Sequence, residues 1–314
     1  MTKLRVPFLG IAGPTAVGKT ELSLQLAEVL GGEIISADSM QVYRHMDIGT
    51  AKLPREERRG ILHYMIDVVE PTATYTVYEY ATTARQCIRD VFSRGKVPIV
   101  VGGTGLYFRS LINEFDFTET VRDESLRTEL EEVARVVGSV SLHARLAALD
   151  AEAAARIHPH DKKRLIRALE IVMQTGRSMR ESYALRERQF VPFLVGLTDE
   201  RERLYRRIDA RVDHMIQMGL LREVEGLIAL GCNERHSSMQ AIGYKELVDY
   251  VEGRLGFNEA VELIKRSSRR YAKRQLSWFR AESRIKWYRL EENGMMNMAQ
   301  LAESIGSLWE ANVV

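Results

Sequence analysis

The apolar run VPFLGIAG, residues 6–13, passes directly into GPTAVGKT, Gly13 to Thr20. Few short sequences restrict a fold so strongly. A strand, then G-x-x-x-x-G-K-T, then a helical pattern is a phosphate-binding turn. Its glycines let successive backbone N–H groups point inward at anionic oxygens. Lys19 adds a positive charge, Thr20 offers a hydroxyl to Mg²⁺, and the positive end of the following helix faces the same spot. The expected phosphate ligands are Gly13, Thr15, Ala16, Val17, Gly18, Lys19 and Thr20.

Further runs with the length and β-branched content of buried strands are EIISAD (33–38), ILHYMIDVV (61–69) and VPIVVGG (97–103). Helical patterns over Thr20–Leu30 and Tyr75–Arg94, the second stopped by Gly95, separate several of them. The alternation predicts an α/β fold, a P-loop NTPase-like parallel sheet flanked by helices. From about Ile112 to Gln189 the pattern breaks. ESLRTELEEVARVVG and SLHARLAALDAEAAARI there each read as a helix, and no strand is predicted. An inserted helical domain over 113–189 is expected, with 1–112 and 190–314 forming the core. FVPFLVGL (190–197) reads as a return strand, helices follow over about 200–230 and 257–281, and RIKWYRL (284–290) and a last helix close the chain.

The 314 residues are 45% hydrophobic, enough for one sizeable core with a smaller domain attached. A net charge of +2 means that any affinity for nucleic acid must come from local clusters of Lys and Arg. Cys87 and Cys232 stand apart in sequence, with neither disulfide nor zinc spacing, which suits a reducing cytoplasm. No apolar run reaches the roughly 18 residues of a membrane span, and the N-terminal run is too short for a signal peptide. Export and membrane insertion are not expected.

An ATPase or GTPase adds an apolar strand ending in a metal-binding Asp, a water-positioning residue and nucleotide switches. Here only EIISAD ends suggestively, at Asp38, which can serve as a metal ligand, as a base acting on an acceptor, or as a helix cap. VGGTGLY (101–107) places Thr104 at the carboxyl edge of the sheet, where open α/β folds bind ligands, and reads equally as a structural turn. Residues 261–280 carry seven Lys/Arg against one Glu, with Tyr271 and Trp278 on one helical face. That helix is either merely solvated or turned toward a polyanion. HPHDKKRLIRALE (158–170) is a second basic cluster, and two of them favour a polyanionic partner. His63 and His143 are read as core or surface histidines without chemistry.

GPTAVGKT, ISADSMQVYRHMDIGTAK (35–52), GGTGLY (102–107), IHPHDKKRLIRALEI (157–171), SSMQAIGYKE (237–246) and RRYAKRQLSWFR (269–280), in this order, resemble the bacterial tRNA dimethylallyltransferases, also called tRNA isopentenyltransferases. The resemblance spans nearly the whole chain. It implies transfer of a dimethylallyl group from dimethylallyl diphosphate to N6 of adenosine-37, 3′ of the anticodon, in tRNAs reading codons that begin with U. The loop then holds the donor's diphosphate, with Mg²⁺ on Thr20. The resemblance makes Asp38 the base, puts Thr104 on the donor's bridging oxygen or in orienting the reacting pair, and sets Arg211 of RIDARVD near the diphosphate. It also implies that Asp38, Ser39, Met40, Gln41 and Thr104 meet a flipped-out base of the tRNA anticodon stem-loop. Arg127, Lys162, Lys163, Arg164, Leu165 and Arg167 would contact RNA from the insertion, and Gln240 from the core. A monomer is expected. Val17 departs from the Ser of many relatives, with little expected effect because the loop binds through backbone N–H groups. The competing readings are a small-molecule kinase, an RNA-binding ATP sensor, and prenylation of free AMP. The large basic insertion disfavours the last.

Overall fold

A computed structural model of the chain describes residues 5–113, 123–179, 189–290 and 298–313. It has two compact units, Met1–Ile112 with Gln189–Val314, and Asn113–Arg188. In the first unit, β1 (Val6–Ala12), α1 (Lys19–Leu30), β2 (Gly32–Ser36), β3 (His63–Tyr64), α2 (Val77–Ser93), β4 (Val97–Gly102) and α3 (Gly105–Ile112) are followed by β5 (Phe190–Thr198) and β6 (Lys286–Arg289). Further helices span Arg201–Gln217, Leu220–Ala229, Tyr244–Val251, Phe257–Arg280 and Met298–Val313.

All strand pairs are parallel, in the order β3-β2-β4-β1-β5-β6. A parallel sheet is covered on both faces, so its strands read as unbroken apolar runs. Alternation still sorts the side chains. Leu9, Ile11, Ile34 and Ile99 enter one core with α1 and Met298–Val313, while Phe8, Ala12, Ile35 and Val100 enter the other with α2 and α3. At Gly10 a Cβ would stand 2.6 Å from Leu194 Cδ2, which reserves the centre of β1 for glycine. The chain leaves β1 toward β2 and β3 on one side and reaches β5 on the other. The crevice at the carboxyl ends of β1 and β4 is therefore the topological switch point where ligands of such sheets bind.

Three local expectations change. ILHYMIDVV contributes only a two-residue edge strand, because Met65 and Asp67 take left-handed φ values of 64° and 56°, which no strand accommodates. SLHARLAALDAEAAARI forms two helices, Ser139–Leu149 and Ala151–Arg156. Asp150 divides them by accepting from the N–H groups of Ala153 and Met179 at 3.0 and 2.8 Å. EIISAD leaves the sheet at Ser36, so Asp38 stands beyond the strand and caps no helix.

The second unit is helical in its described residues: Glu124–Val136, Ser139–Leu149, Ala151–Arg156 and Lys162–Thr175 pack Leu130, Leu142, Leu146, Leu165 and Leu169 together. The flanking stretches 114–122 and 180–188 of the expected insertion lie outside the described residues. Among the described residues no helix is long and apolar enough to cross a membrane.

Candidate active site

Between β1 and α1 the backbone alternates hand: Gly13, Ala16 and Gly18 have φ of 149°, 61° and 102°. Such alternation turns consecutive N–H groups into a concave anion-binding nest, and Ala16 bears the strain of a non-glycine residue there. Gly13 packs under β5, where a Cβ would meet Leu197 O at 2.7 Å. The Val17 side chain is fully buried in the core, which leaves its backbone for the loop.

Lys19 folds back over this loop and donates to Pro14 O at 2.7 Å. Burial, together with the nearby Arg211 guanidinium, brings its pKa down to about 7, against the opposing pull of Asp38. Arg211, on helix Arg201–Gln217, is likewise shifted down by burial and supported by Asp38. It forms no hydrogen bond or ion pair among the described residues. Two basic side chains thus converge on the loop, with the Asp38 carboxylate drawing on both, an arrangement that attracts a multiply charged anion.

The two chain segments at the carboxyl edge are stitched together. Ala37 N–H donates to Val101 O at 2.7 Å, Thr104 N–H to Ala37 O at 3.1 Å, and Ser39 N–H to Thr104 Oγ1 at 3.0 Å. Asp38 Oδ1 accepts from Met40 N–H at 2.9 Å, and Oδ2 has no hydrogen bond among the described residues. The approach is so close that a Cβ on Gly102 would lie 2.2 Å from Ala37 O. Gln41 is held at both ends of its amide: Oε1 accepts from Ser36 Oγ at 2.9 Å and Nε2 donates to Thr50 O at 3.2 Å.

One buried side chain joins both glycine loops. Gln275, on helix Phe257–Arg280, accepts from Thr15 N–H at 2.9 Å and donates to Gly103 O at 3.0 Å. A Cβ on Gly103 would stand 2.1 Å from its Nε2. Sequence reasoning missed this role. The available signal was a lone uncharged amide on the inward face of a strongly basic helix.

These groups surround a cavity of about 390 Å³. Thr15, Lys19, Thr20, Asp38, Ser39, Met40, Gln41, Arg211 and Gln240 line it, together with apolar Ile34, Val101, Ile208 and Val212. Thr104 stands one residue beyond the wall at Gly103. Gln240 Nε2 donates to Glu234 O at 2.6 Å. Tyr271 also lines the cavity, its phenol pushed up to about 12 by burial and by Asp38, with Arg274 lying 5.7 Å over its ring. His63 lines it as well, its Nδ1 2.9 Å from Ile61 O and its pKa lowered by burial. A second cavity, of about 800 Å³, is lined by Ala16, Val17 and Gly18 and shares Lys19, Thr20 and Arg211 with the first.

In the helical unit, Asp161 caps the helix Lys162–Thr175 by accepting from Arg164 N–H at 3.2 Å. Lys162, Lys163 and Arg164 of its first turn are exposed. Arg127 grips the fully buried Glu170 at 2.6 and 3.1 Å, and Arg167 reaches the same carboxylate at 3.0 Å. Leu165 requires a correction: its side chain is wholly inside this unit's core and its N–H is bound to Asp161 O, so it offers RNA no surface.

Comparison with known proteins adds to this geometry. The family model described as IPP transferase matches residues 41–282, and that described as isopentenyl transferase matches 8–68. The chain is 48% identical to a tRNA dimethylallyltransferase of Carboxydothermus hydrogenoformans over 94% of both chains, and 49% identical to one of Bacillus licheniformis over 92% of both. A tRNA isopentenylpyrophosphate transferase of Bacillus halodurans superposes with a TM-score of 0.73 at 41% identity, over 98% of each chain. A eukaryotic dimethylallyltransferase solved acting on tRNA gives 0.77 at 30% identity, over 98% of this chain and 76% of that one.

Proposed function

This chain belongs to the tRNA dimethylallyltransferase family and transfers a dimethylallyl group to tRNA, and we propose accordingly that its donor is dimethylallyl diphosphate and its acceptor N6 of adenosine-37, 3′ of the anticodon, in tRNAs reading codons that begin with U. The observation that carries this reading is the cavity's lining. Lys19 and Arg211 beside the glycine loop, apolar Ile34, Val101, Ile208 and Val212, and the Asp38 carboxylate with Oδ1 held by Met40 N–H all face one space. A prenyl diphosphate combines the same charge and apolar surface.

An adenine amino group is a poor nucleophile because its lone pair is delocalised into the ring. Asp38 accepts a hydrogen bond from N6 and takes its proton as the new N–C bond forms at the allylic carbon and the C–O bond to diphosphate breaks. Negative charge grows on the departing diphosphate. The loop N–H groups, Lys19 and Arg211 stabilise it more in the transition state than in the ground state. Thr104 positions this pair through Ser39. The products are N6-dimethylallyladenosine and diphosphate.

Mg²⁺ suits the same cavity: Thr20 lines it, and the Thr20 hydroxyl forms no hydrogen bond among the described residues. The ion would neutralise charge on the leaving group. The target adenosine is extruded from its stack to reach Asp38, with Ser39, Met40 and Gln41 beside it. Lys162, Lys163 and Arg164 meet the RNA backbone from the helical unit, and the protein acts as a monomer. Free thiols and a tRNA substrate agree with work in the cytoplasm.

The direct test supplies unmodified tRNA, Mg²⁺ and labelled dimethylallyl diphosphate, with labelled ATP in a parallel reaction. Label at the adenosine beside the anticodon is the expected result. ATP turnover with no label in RNA would return the loop to a kinase.

A further inference from the structure

The segment from Met40 to Leu53 carries residues that line the cavity, yet it forms no helix and no strand of the sheet. Backbone N–H groups in such a segment must find partners elsewhere. Three consecutive ones find a single side chain 174 to 176 residues away. Glu223 Oε2 accepts from Asp47 N–H at 2.8 Å and Ile48 N–H at 2.7 Å, and Oε1 accepts from Gly49 N–H at 3.1 Å. A fourth donor, the Tyr244 hydroxyl, reaches Oε1 at 2.5 Å.

Tyr244 is fully buried. Burial and the adjacent Glu223 raise its pKa far above that of a free phenol, so it stays a neutral donor. Gly49 lies flat against its ring, where a Cβ would approach to 2.4 Å. The glycine of DIGTAK and the tyrosine of IGYKE therefore meet at one carboxylate. From there the geometry runs to the cavity. Thr50, the residue after Gly49, presents the carbonyl that receives Gln41 Nε2, and Gly49, Thr50 and Gln41 all line the wall.

We propose that Glu223 is a positioning residue for RNA: by clamping residues 47–49 it sets the Thr50 carbonyl, and through it the Gln41 amide, in the cavity wall beside Asp38. The inference rests on the reading above that residues 38–41 face the flipped base. The glycine loop at Thr15 is held independently by Gln275, so the clamp acts on one substrate and not the other.

Glu223→Gln keeps the size but replaces one acceptor oxygen with an amide that itself donates. Steady-state transfer to an anticodon stem-loop RNA should show KM for RNA raised roughly tenfold, since displacements of about 1 Å at a reacting geometry have effects up to 10²-fold. KM for dimethylallyl diphosphate should stay within about twofold of wild type. A merely structural role would lower the melting temperature and leave both KM values alone. That outcome, or equal changes in both, overturns the proposal. Tyr244→Phe removes one donor and retains the three backbone bonds. It should shift KM for RNA the same way by a smaller, roughly threefold, factor, and it carries the test alone if the Gln variant does not fold. Wild-type enzyme in the same assay keeps the two claims apart. If it prenylates the stem-loop while neither variant changes KM for RNA, the clamp is wrong and the transferase stands.

Discussion

Lys19 shows how a residue type and its setting divide the work. The phosphate loop requires a lysine, but burial beside Arg211 lowers its pKa to about 7, so at pH 8 most of the ammonium is neutral in the free protein. A bound diphosphate favours the charged form. Donor binding at pH 8 is therefore expected to take up most of one proton, and to weaken with pH above about 7 insofar as Lys19 governs it. Calorimetry in buffers of different ionisation enthalpy measures that uptake, and Lys19→Arg, which stays charged, should abolish it. Asp38 has a separate task. Asp38→Ala should lower single-turnover transfer by about 10² to 10⁴, the range for a general base, while tRNA binding persists. Wild-type turnover would remove the assigned role.

Among elements, the basic helix Phe257–Arg280 and the capped helix Lys162–Thr175 each carry a buried polar residue whose partners decide its worth. Gln275 ties the phosphate loop to Gly103. Gly103→Ala would drive a methyl into its amide, and overpacking of this kind costs about 1–3 kcal/mol. Reduced donor affinity together with a lower melting temperature is expected, and wild-type values of both would show the interaction to be dispensable. In the helical unit, burial raises the pKa of Glu170, but hydrogen bonds and charge from Arg127 and Arg167 outweigh it and hold the carboxyl below its usual value of 4.5. With the folded value depressed, the stabilisation is complete above pH 4.5 and disappears as the pH falls through the folded value. Glu170→Gln should accelerate hydrogen exchange over 124–175 at pH 7. The expected cost is about 1–3 kcal/mol, less than for a wholly buried pair because both guanidiniums reach water.

Across the full chain, a net charge of +2 coexists with local concentrations of Lys and Arg, and RNA affinity depends on where those charges stand. Replacing Lys162 and Arg164 with Ala should reduce the slope of log K against log salt by about 0.7–0.9 for each RNA phosphate left without its cation. An unchanged slope would take this helix out of the RNA interface. Much of the architecture is legible in the residue order. The loop, five of the sheet's six strands and the helical character of 124–175 follow from apolar runs, capping residues and glycine placement, all of them local. The shortening of β3 is not, because Met65 and Asp67 adopt left-handed φ under packing that no propensity records. The resemblance to a family motif groups Leu165 with RNA-contacting residues, whereas helical periodicity turns it inward with Ile166 and Leu169.

Residue order alone dictates a phosphate-loop turn between β1 and α1, and that Asp38 and Thr104 reach the same sheet edge. Glycine stereochemistry and the carboxyl-end rule for parallel sheets act over a few residues. Which distant groups complete the site emerges only on folding. Gln275 binds Thr15 across 260 residues, Arg211 joins Lys19, and Glu223 gathers three N–H groups of the loop that borders Gln41. Those partnerships depend on how each helix face seats on the sheet. Packing of many side chains at once sets that seating, and no spacing along the chain encodes it.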